Sequence, residues 1–160
     1  MDSNGIYKFV NAGTTPSGAT SQYNTEGDTI TTPSRGQGGI GFVGYQREKF
    51  WCGPLCYRIQ SKRDDIMTRF IYYILDNNMA NIVGMARMTG VPALNRKELV
   101  DFKIPVPPIE EQNRIVSILD KFDKLTTDIS EGLPAEINAR RKQYDYYRNK
   151  LLTFPELAHA

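Results

Sequence analysis

Three closely spaced prolines, Pro105, Pro107 and Pro108, constrain this chain more than any other feature. Each proline fixes its own φ and restricts the residue before it, so the segment is extended and a regular element that reaches it must end. Composition changes at the same place, because no glycine follows Pro108 until Gly132. The predicted units are a compact domain over residues 1–108, a helical arm over 109–154 and a tail over 155–160.

The compact domain is predicted to be α+β, with short curled strands followed by a few helices. Up to about Ile59 the sequence is dense in Gly, Thr, Ser and aromatic residues, with short apolar runs between turn clusters. From Ile66 to Asn78 apolar residues recur at helical spacing, and Asp64 or Asp65 is expected to cap that helix. Residues 79–94 are expected to form a loop, and residues 95–101 a second short helix. The expected strands lie in 6–10, 29–31 and 50–51.

The arm is predicted to be a long helical coiled coil with one apolar stripe. Gly132, Leu133 and Pro134 interrupt it, and Pro134 suits the first turn of a new helix. The stripe that we expect to mediate dimerisation consists of Ile115, Ile118, Phe122, Leu125, Ile129, Ile137, Tyr144 and Leu151.

Charge along the chain suggests how this arm associates. Residues 101–136 carry four basic and eight acidic side chains, whereas residues 137–160 carry five basic and two acidic ones. An antiparallel homodimer places each acidic half beside a basic half, and a hairpin within one chain satisfies the same charges. We predict the antiparallel homodimer, with the hairpin within one chain as the alternative.

Signatures of catalysis are missing from the sequence. Cys52 and Cys56 are one residue too far apart for a thioredoxin-like motif, and with His159 as the single histidine they do not complete a zinc site. There is no phosphate loop, dinucleotide fingerprint or adenine-methyltransferase motif. We therefore expect a non-enzyme without metal or cofactor. With no membrane-spanning run or signal-peptide pattern, a cytoplasmic location is also expected.

Two segments carry the residues best suited to contact DNA. Within the glycine-rich stretch 34–41, Arg35 and Gln37 can reach base edges, although a tight turn alone explains the glycines equally well. Arg87 is the second candidate, with an ordinary solvated charge as the alternative. Lys8, Asn11 and Thr89 are supporting candidates. The Tyr-rich basic stretch 140–148 has its tyrosines at helical spacing, which favours helix packing over DNA contact.

Residues 99–112, reading Leu-Val-Asp-Phe-Lys-Ile-Pro-Val-Pro-Pro-Ile-Glu-Glu-Gln, resemble the junction between recognition domain and spacer helix in type I restriction-modification specificity subunits. The similarity continues through Arg114-Ile115-Val116 and Leu119-Asp120, and through Arg141, Gln143, Tyr144, Tyr147, Arg148, Leu151, Leu152 and Phe154. Upstream it includes Asn11-Ala12-Gly13, Ser34-Arg35-Gly36, Gly44-Tyr45, Phe50-Trp51 and Pro92-Ala93-Leu94-Asn95.

The resemblance implies recognition of one half of a split site in double-stranded DNA, with separate methylation and restriction subunits as partners that carry out the chemistry. The chain departs from the family pattern by having one recognition unit and one spacer, as in a half-subunit or a fragment. Two other classes remain open: an autonomous DNA-binding regulator, and a structural coiled-coil module that binds another protein.

Overall fold

The computed structural model describes residues 5–128 and 134–154, which form two compact units divided between Ile104 and Pro105. The strands are β1 (Tyr7–Val10), β2 (Gly18–Thr20), β3 (Thr29–Pro33), β4 (Gly44–Gln46), β5 (Phe50–Cys52) and β6 (Cys56–Ile59). The helices are α1 (Thr68–Asn77), α2 (Met79–Met85), α3 (Arg96–Val100), α4 (Ile109–Asp128) and α5 (Pro134–Leu152). The predicted mixed class with short strands and a few helices is confirmed.

The first unit contains two small sheets. In the first sheet, β1 lies between β2 and β5, antiparallel to β2 and parallel to β5. In the second sheet, β3 lies between β4 and β6 and is antiparallel to both. Strand β3 is buried along its whole length, as expected for a central strand. Its neighbour β4 follows the glycine-rich segment directly, so the second sheet fixes both ends of that segment.

Helix α2 corrects the predicted loop over residues 79–94. Ile82 of α2 is completely buried in a core cluster with Ile30 of β3 and Leu94. Gly84 lowers helix propensity, and seven residues are too few to show a clear period. Burial of Ile82 therefore stabilises a helix that the local sequence does not predict.

The two other helices of this unit test the predicted caps. The cap expected at Asp64 or Asp65 is wrong, because α1 begins at Thr68 after Met67 and has no side-chain cap. The carboxylate of Asp65 instead accepts two hydrogen bonds from the Arg63 guanidinium, at 2.8 and 2.6 Å. The predicted second helix is confirmed as α3, where Asn95 Oδ1 accepts a hydrogen bond from the Lys97 N–H at 3.0 Å.

The second unit consists of α4 and α5, which pack on each other within one chain. The ring of Phe122 stacks on Tyr147 at 5.8 Å between centroids and meets the edge of Tyr144 at 6.4 Å. Residues 129–133 span at most about 20 Å, while a 20-residue helix is about 30 Å long, so the helices must be antiparallel. The hairpin alternative is therefore the arrangement seen in the single chain.

Several residues of the predicted stripe are buried or partly buried in the structure. Ile115 is completely buried, and Ile118, Ile137 and Leu151 are partly buried. The side chain of Leu125, together with Ile129, Gly132 and Leu133, lies outside the described residues. Helix α5 begins at Pro134, as predicted for a proline in a first helical turn.

Candidate nucleic-acid interface

Main-chain hydrogen bonds join the two arginine-bearing segments through Ala93. The Arg87 N–H donates to the Ala93 carbonyl at 2.9 Å, and the Ala93 N–H donates to the Arg87 carbonyl at 3.1 Å. On the other side, Arg35 forms a β-bridge with Ala93. Flanking bonds run from the Gly36 N–H to the Pro92 carbonyl at 3.0 Å and from the Leu94 N–H to the Ser34 carbonyl at 2.9 Å. Two arginines far apart in sequence are thus held on opposite sides of one residue.

Both arginines line one groove of about 510 Å³ on the surface of the first unit. Arg35, Arg87 and Glu98 are exposed there, and none of the three forms a side-chain hydrogen bond or an ion pair with another described residue. The groove residues are Ser34, Arg35, Leu55, Tyr57, Arg87, Ala93, Leu94, Asn95 and Glu98. Unpaired guanidinium groups on a concave surface are available to an external acceptor.

Several arginines elsewhere in the described chain have partners inside the fold. Arg63 contacts Asp65 at 2.6 Å, and Arg114 contacts Glu111 at 2.5 Å. The guanidinium of Arg69 lies 4.4 Å from the ring centre of Tyr45. These arginines already have partners inside the fold. Arg35 and Arg87 do not, so the groove is the better candidate for binding.

The glycine-rich segment has clear structural requirements. Gly36, Gly38 and Gly41 have φ of 127°, 80° and 89°, in the region that favours glycine. A Cβ at Gly41 would also collide with the Cγ2 methyl of Val83 in α2. The turn interpretation thus accounts for these glycines. Gln37 is exposed between them but does not line the groove of Arg35 and Arg87, so its role stays a prediction.

The three supporting candidates occupy different settings. Lys8 is exposed on β1 and borders two depressions of about 220 and 290 Å³. Asn11 Oδ1 accepts a hydrogen bond from the Leu55 N–H at 2.9 Å, so this oxygen already has a partner inside the fold. Thr89 is exposed beside Gly90, which has a φ of 77°. The structure does not bring these three residues into the arginine groove.

The sequence analysis missed Glu98, the acidic member of the groove. It lies in the first turn of α3, three residues after the capping residue Asn95. That spacing is the pattern of a capping box, which marks a helix start and would have placed Glu98 next to the Pro92–Asn95 segment. Its proximity to Arg35 depends on long-range strand pairing and was not visible in the sequence.

The two cysteines are free thiols in consecutive strands, Cys52 in β5 of the first sheet and Cys56 in β6 of the second. The Cys52 thiol donates to the Cys56 carbonyl at 3.6 Å. A hydrogen bond with Cys52 and burial both raise the pKa of Cys56, which disfavours its thiolate. Cys56 is thus a poor nucleophile, as expected of an ordinary packed residue.

The Tyr-rich basic stretch of α5 packs as its spacing predicts. Tyr144 and Tyr147 both contact Phe122 of α4, which confirms the helix-packing interpretation.

Within residues 5–128 and 134–154, every helix falls short of the length and apolar character of a membrane span. In the same part of the chain, no group of three or more Asp, Glu, His or Cys side chains is placed so that it could hold a metal ion.

A small two-sheet unit with an unpaired arginine groove, followed by a helical hairpin, defines a binding module. The chain belongs to the type I restriction modification DNA specificity domain family, whose model matches residues 2–139. It is 50% identical over 95 residues to the specificity subunit of the Escherichia coli type I restriction enzyme EcoR124I/EcoR124II, covering 58% of this chain and 24% of that protein.

Further relatives support the same assignment. The specificity subunit of the type I restriction enzyme MpnII from Mycoplasma pneumoniae is 34% identical over 129 residues, which is 81% of this chain and 38% of that protein. The crystal structure of a type I restriction-modification S subunit from M. genitalium matches with a TM-score of 0.71 and 26% identity, over 92% of this chain and 38% of that one. The chain thus spans well under two thirds of these relatives.

Proposed function

We propose that this chain recognises one half of a split site in double-stranded DNA, as part of a type I specificity subunit. The observation that carries the proposal is the pair of unpaired arginines, Arg35 and Arg87, held across Ala93 in one groove. Arginine forms paired hydrogen bonds with the O6 and N7 atoms of guanine in the major groove, and it also binds phosphate. Membership of the DNA specificity domain family supports the same function.

The chain supplies binding and no turnover. Separate methylation and restriction subunits act on the DNA, and this chain directs them to the site from a cytoplasmic location. Nothing in the groove pairs a nucleophile with a base, and its charged members are suited to hydrogen bonding. The purified chain with S-adenosylmethionine, ATP and magnesium should therefore neither methylate nor cleave DNA.

Co-expression with a cognate methylation subunit, followed by mapping of methylated sites, tests the proposal. Wild type should direct methylation to one defined sequence, and Arg35→Ala with Arg87→Ala should abolish or relax that choice. Lys62→Ala is a matched control, because Lys62 is an exposed cation outside the groove. Unchanged methylation sites in the double variant would contradict the assignment of the groove.

Two other functions predict different results in the same preparation. An autonomous regulator would bind one operator in a salt-sensitive manner and would not need the methylation subunit. A structural coiled-coil module would show no salt-dependent affinity for DNA at all. The family match favours a DNA-recognising part of a type I specificity subunit over both.

Association of two chains is the second part of the proposal. The contacts of Phe122 with Tyr144 and Tyr147 join α4 to α5 within one chain. An antiparallel homodimer can form the same contacts if α5 is exchanged between two chains, because the acidic and basic halves then face each other again. In the proposed dimer, the contacts between α4 and α5 are thus the same as in the hairpin, but the two helices come from different chains.

Sedimentation of the chain distinguishes the two forms. A dimer at micromolar concentration that dissociates in Ile118→Asp supports exchange through the apolar stripe. Ser117→Asp is the control, because it adds the same charge at an exposed position of α4. A wild-type monomer would contradict the dimer and leave the closed hairpin as the solution form.

A further inference from the structure

Glu98 has an unusual position beside the two arginines of the groove. Its side chain is exposed, lines the same concave surface as Arg35 and Arg87, and has no ion pair with any described residue. Opposite charges at other places in the chain do pair, as between Arg63 and Asp65 at 2.6 Å. The groove therefore presents one acceptor and two donors to an incoming ligand.

This mixture of charges argues against a surface that contacts only phosphates. A carboxylate beside phosphate groups is repelled, so a pure phosphate site gains nothing from Glu98. Base edges in the major groove, in contrast, present both donors and acceptors. Guanine offers O6 and N7 acceptors to arginine, and the N4 amino group of cytosine donates to glutamate or aspartate. A groove with Arg35, Arg87 and Glu98 matches the two edges of G·C pairs.

The backbone around Glu98 is fixed by groups other than its own side chain. Asn95 Oδ1 accepts from the Lys97 N–H at 3.0 Å and so caps α3. The Tyr57 hydroxyl donates to the Leu94 carbonyl at 3.0 Å and anchors the segment before the helix. The cap of α3 and the anchor of the preceding segment are both provided by other residues. The Glu98 carboxylate is therefore available to bind a ligand. Its remaining structural role is a favourable charge in the first turn of α3.

We infer that Glu98 is a specificity-determining residue, whose carboxylate accepts a hydrogen bond from a cytosine amino group while Arg35 or Arg87 binds guanine. The inference rests on the proposed function. It goes further by assigning G·C pairs to this groove and an acceptor role to a residue that a phosphate-binding surface would not use.

Selection from a pool of duplexes with randomised sequence tests this inference with the full chain and its methylation subunit. Wild type should enrich cytosine at one or more positions. Glu98→Ala, which removes both acceptor oxygens, should lower the preference for cytosine at one of them by about tenfold, within the ~5- to ~150-fold range of a good base contact. Preferences at other positions and the salt dependence should stay the same. Glu98→Asp, which keeps the acceptor, should retain part of the preference.

Glu110→Ala is the matched control, because it makes the same change at an exposed position in the first turn of α4. Equal enrichment by wild type and Glu98→Ala would overturn the inference and leave DNA recognition standing. A uniform gain in affinity for all sequences in Glu98→Ala would overturn it too, since Glu98 would then face phosphates. No enriched sequence with wild type would refute the proposed function itself. Thermal melting of each variant shows whether a changed base preference comes with a loss of stability.

Discussion

Gly41 offers the sharpest test of how the arginine-bearing loop is held. An alanine there meets two obstacles: a φ of 89°, and a Cβ that collides with Val83 of α2. The left-handed backbone costs about 1–2 kcal/mol for a non-glycine residue, and overpacking costs about 1–3 kcal/mol. Gly41→Ala should therefore lower the free energy of unfolding by about 2–5 kcal/mol, measured by urea denaturation.

Two other glycines separate these contributions. Gly38 has a φ of 80° and nothing within 4 Å of an added Cβ, so Gly38→Ala should cost only the backbone term of about 1–2 kcal/mol. Gly84 lies in α2 with equally open space, so Gly84→Ala should stabilise by about 0.5–1 kcal/mol. If Gly41→Ala costs no more than Gly38→Ala, contact with Val83 does not hold the loop and the reasoning fails.

Other substitutions test base discrimination by the loop residues, the pH dependence of stability at Tyr45 and the stability of the α4–α5 unit. Arg35→Ala or Gln37→Ala should lose about 1–3 kcal/mol of discrimination at particular base pairs in binding assays, and equal weakening for all sequences would indicate a phosphate contact. Burial and a hydrogen bond to Asp28 raise the pKa of Tyr45 above its usual range. Folded Tyr45 keeps a proton that the unfolded chain loses above about pH 10, so stability should fall there, and less steeply in Tyr45→Phe. Phe122→Ala should destabilise the α4–α5 unit by less than the about 3–5 kcal/mol of a fully buried ring, because Phe122 is only partly buried, and no loss in calorimetry would show that its ring contacts do not stabilise the pair.

Local patterns account for the elements that the sequence predicted well. Helix α4 follows from its apolar recurrence after Pro108, and α3 follows from Asn95, whose cap is seen in the structure. Strand β3 follows from the β-branched run at Thr29–Thr31. In each case the pattern that predicts the element is visible in a short window of sequence.

The remaining features depend on contacts between distant parts of the chain. Helix α2 is stabilised by burial of Ile82 in the same core cluster as Ile30, which local propensity does not encode. The arginine candidates were found from residue type and loop composition. Their shared groove, and Glu98 within it, required the pairing of both segments with Ala93.

The hydrogen bonds that join the two arginine segments to Ala93 are all main-chain bonds, and they impose no demand on most side chains around them. Positions 35, 87 and 98 are exposed, so substitution there leaves the scaffold intact. A combinatorial library at these three positions should consequently yield folded proteins at high frequency. If the groove binds DNA as proposed, such a scaffold allows new recognition sequences to arise by point mutation, without a compensating change in the core.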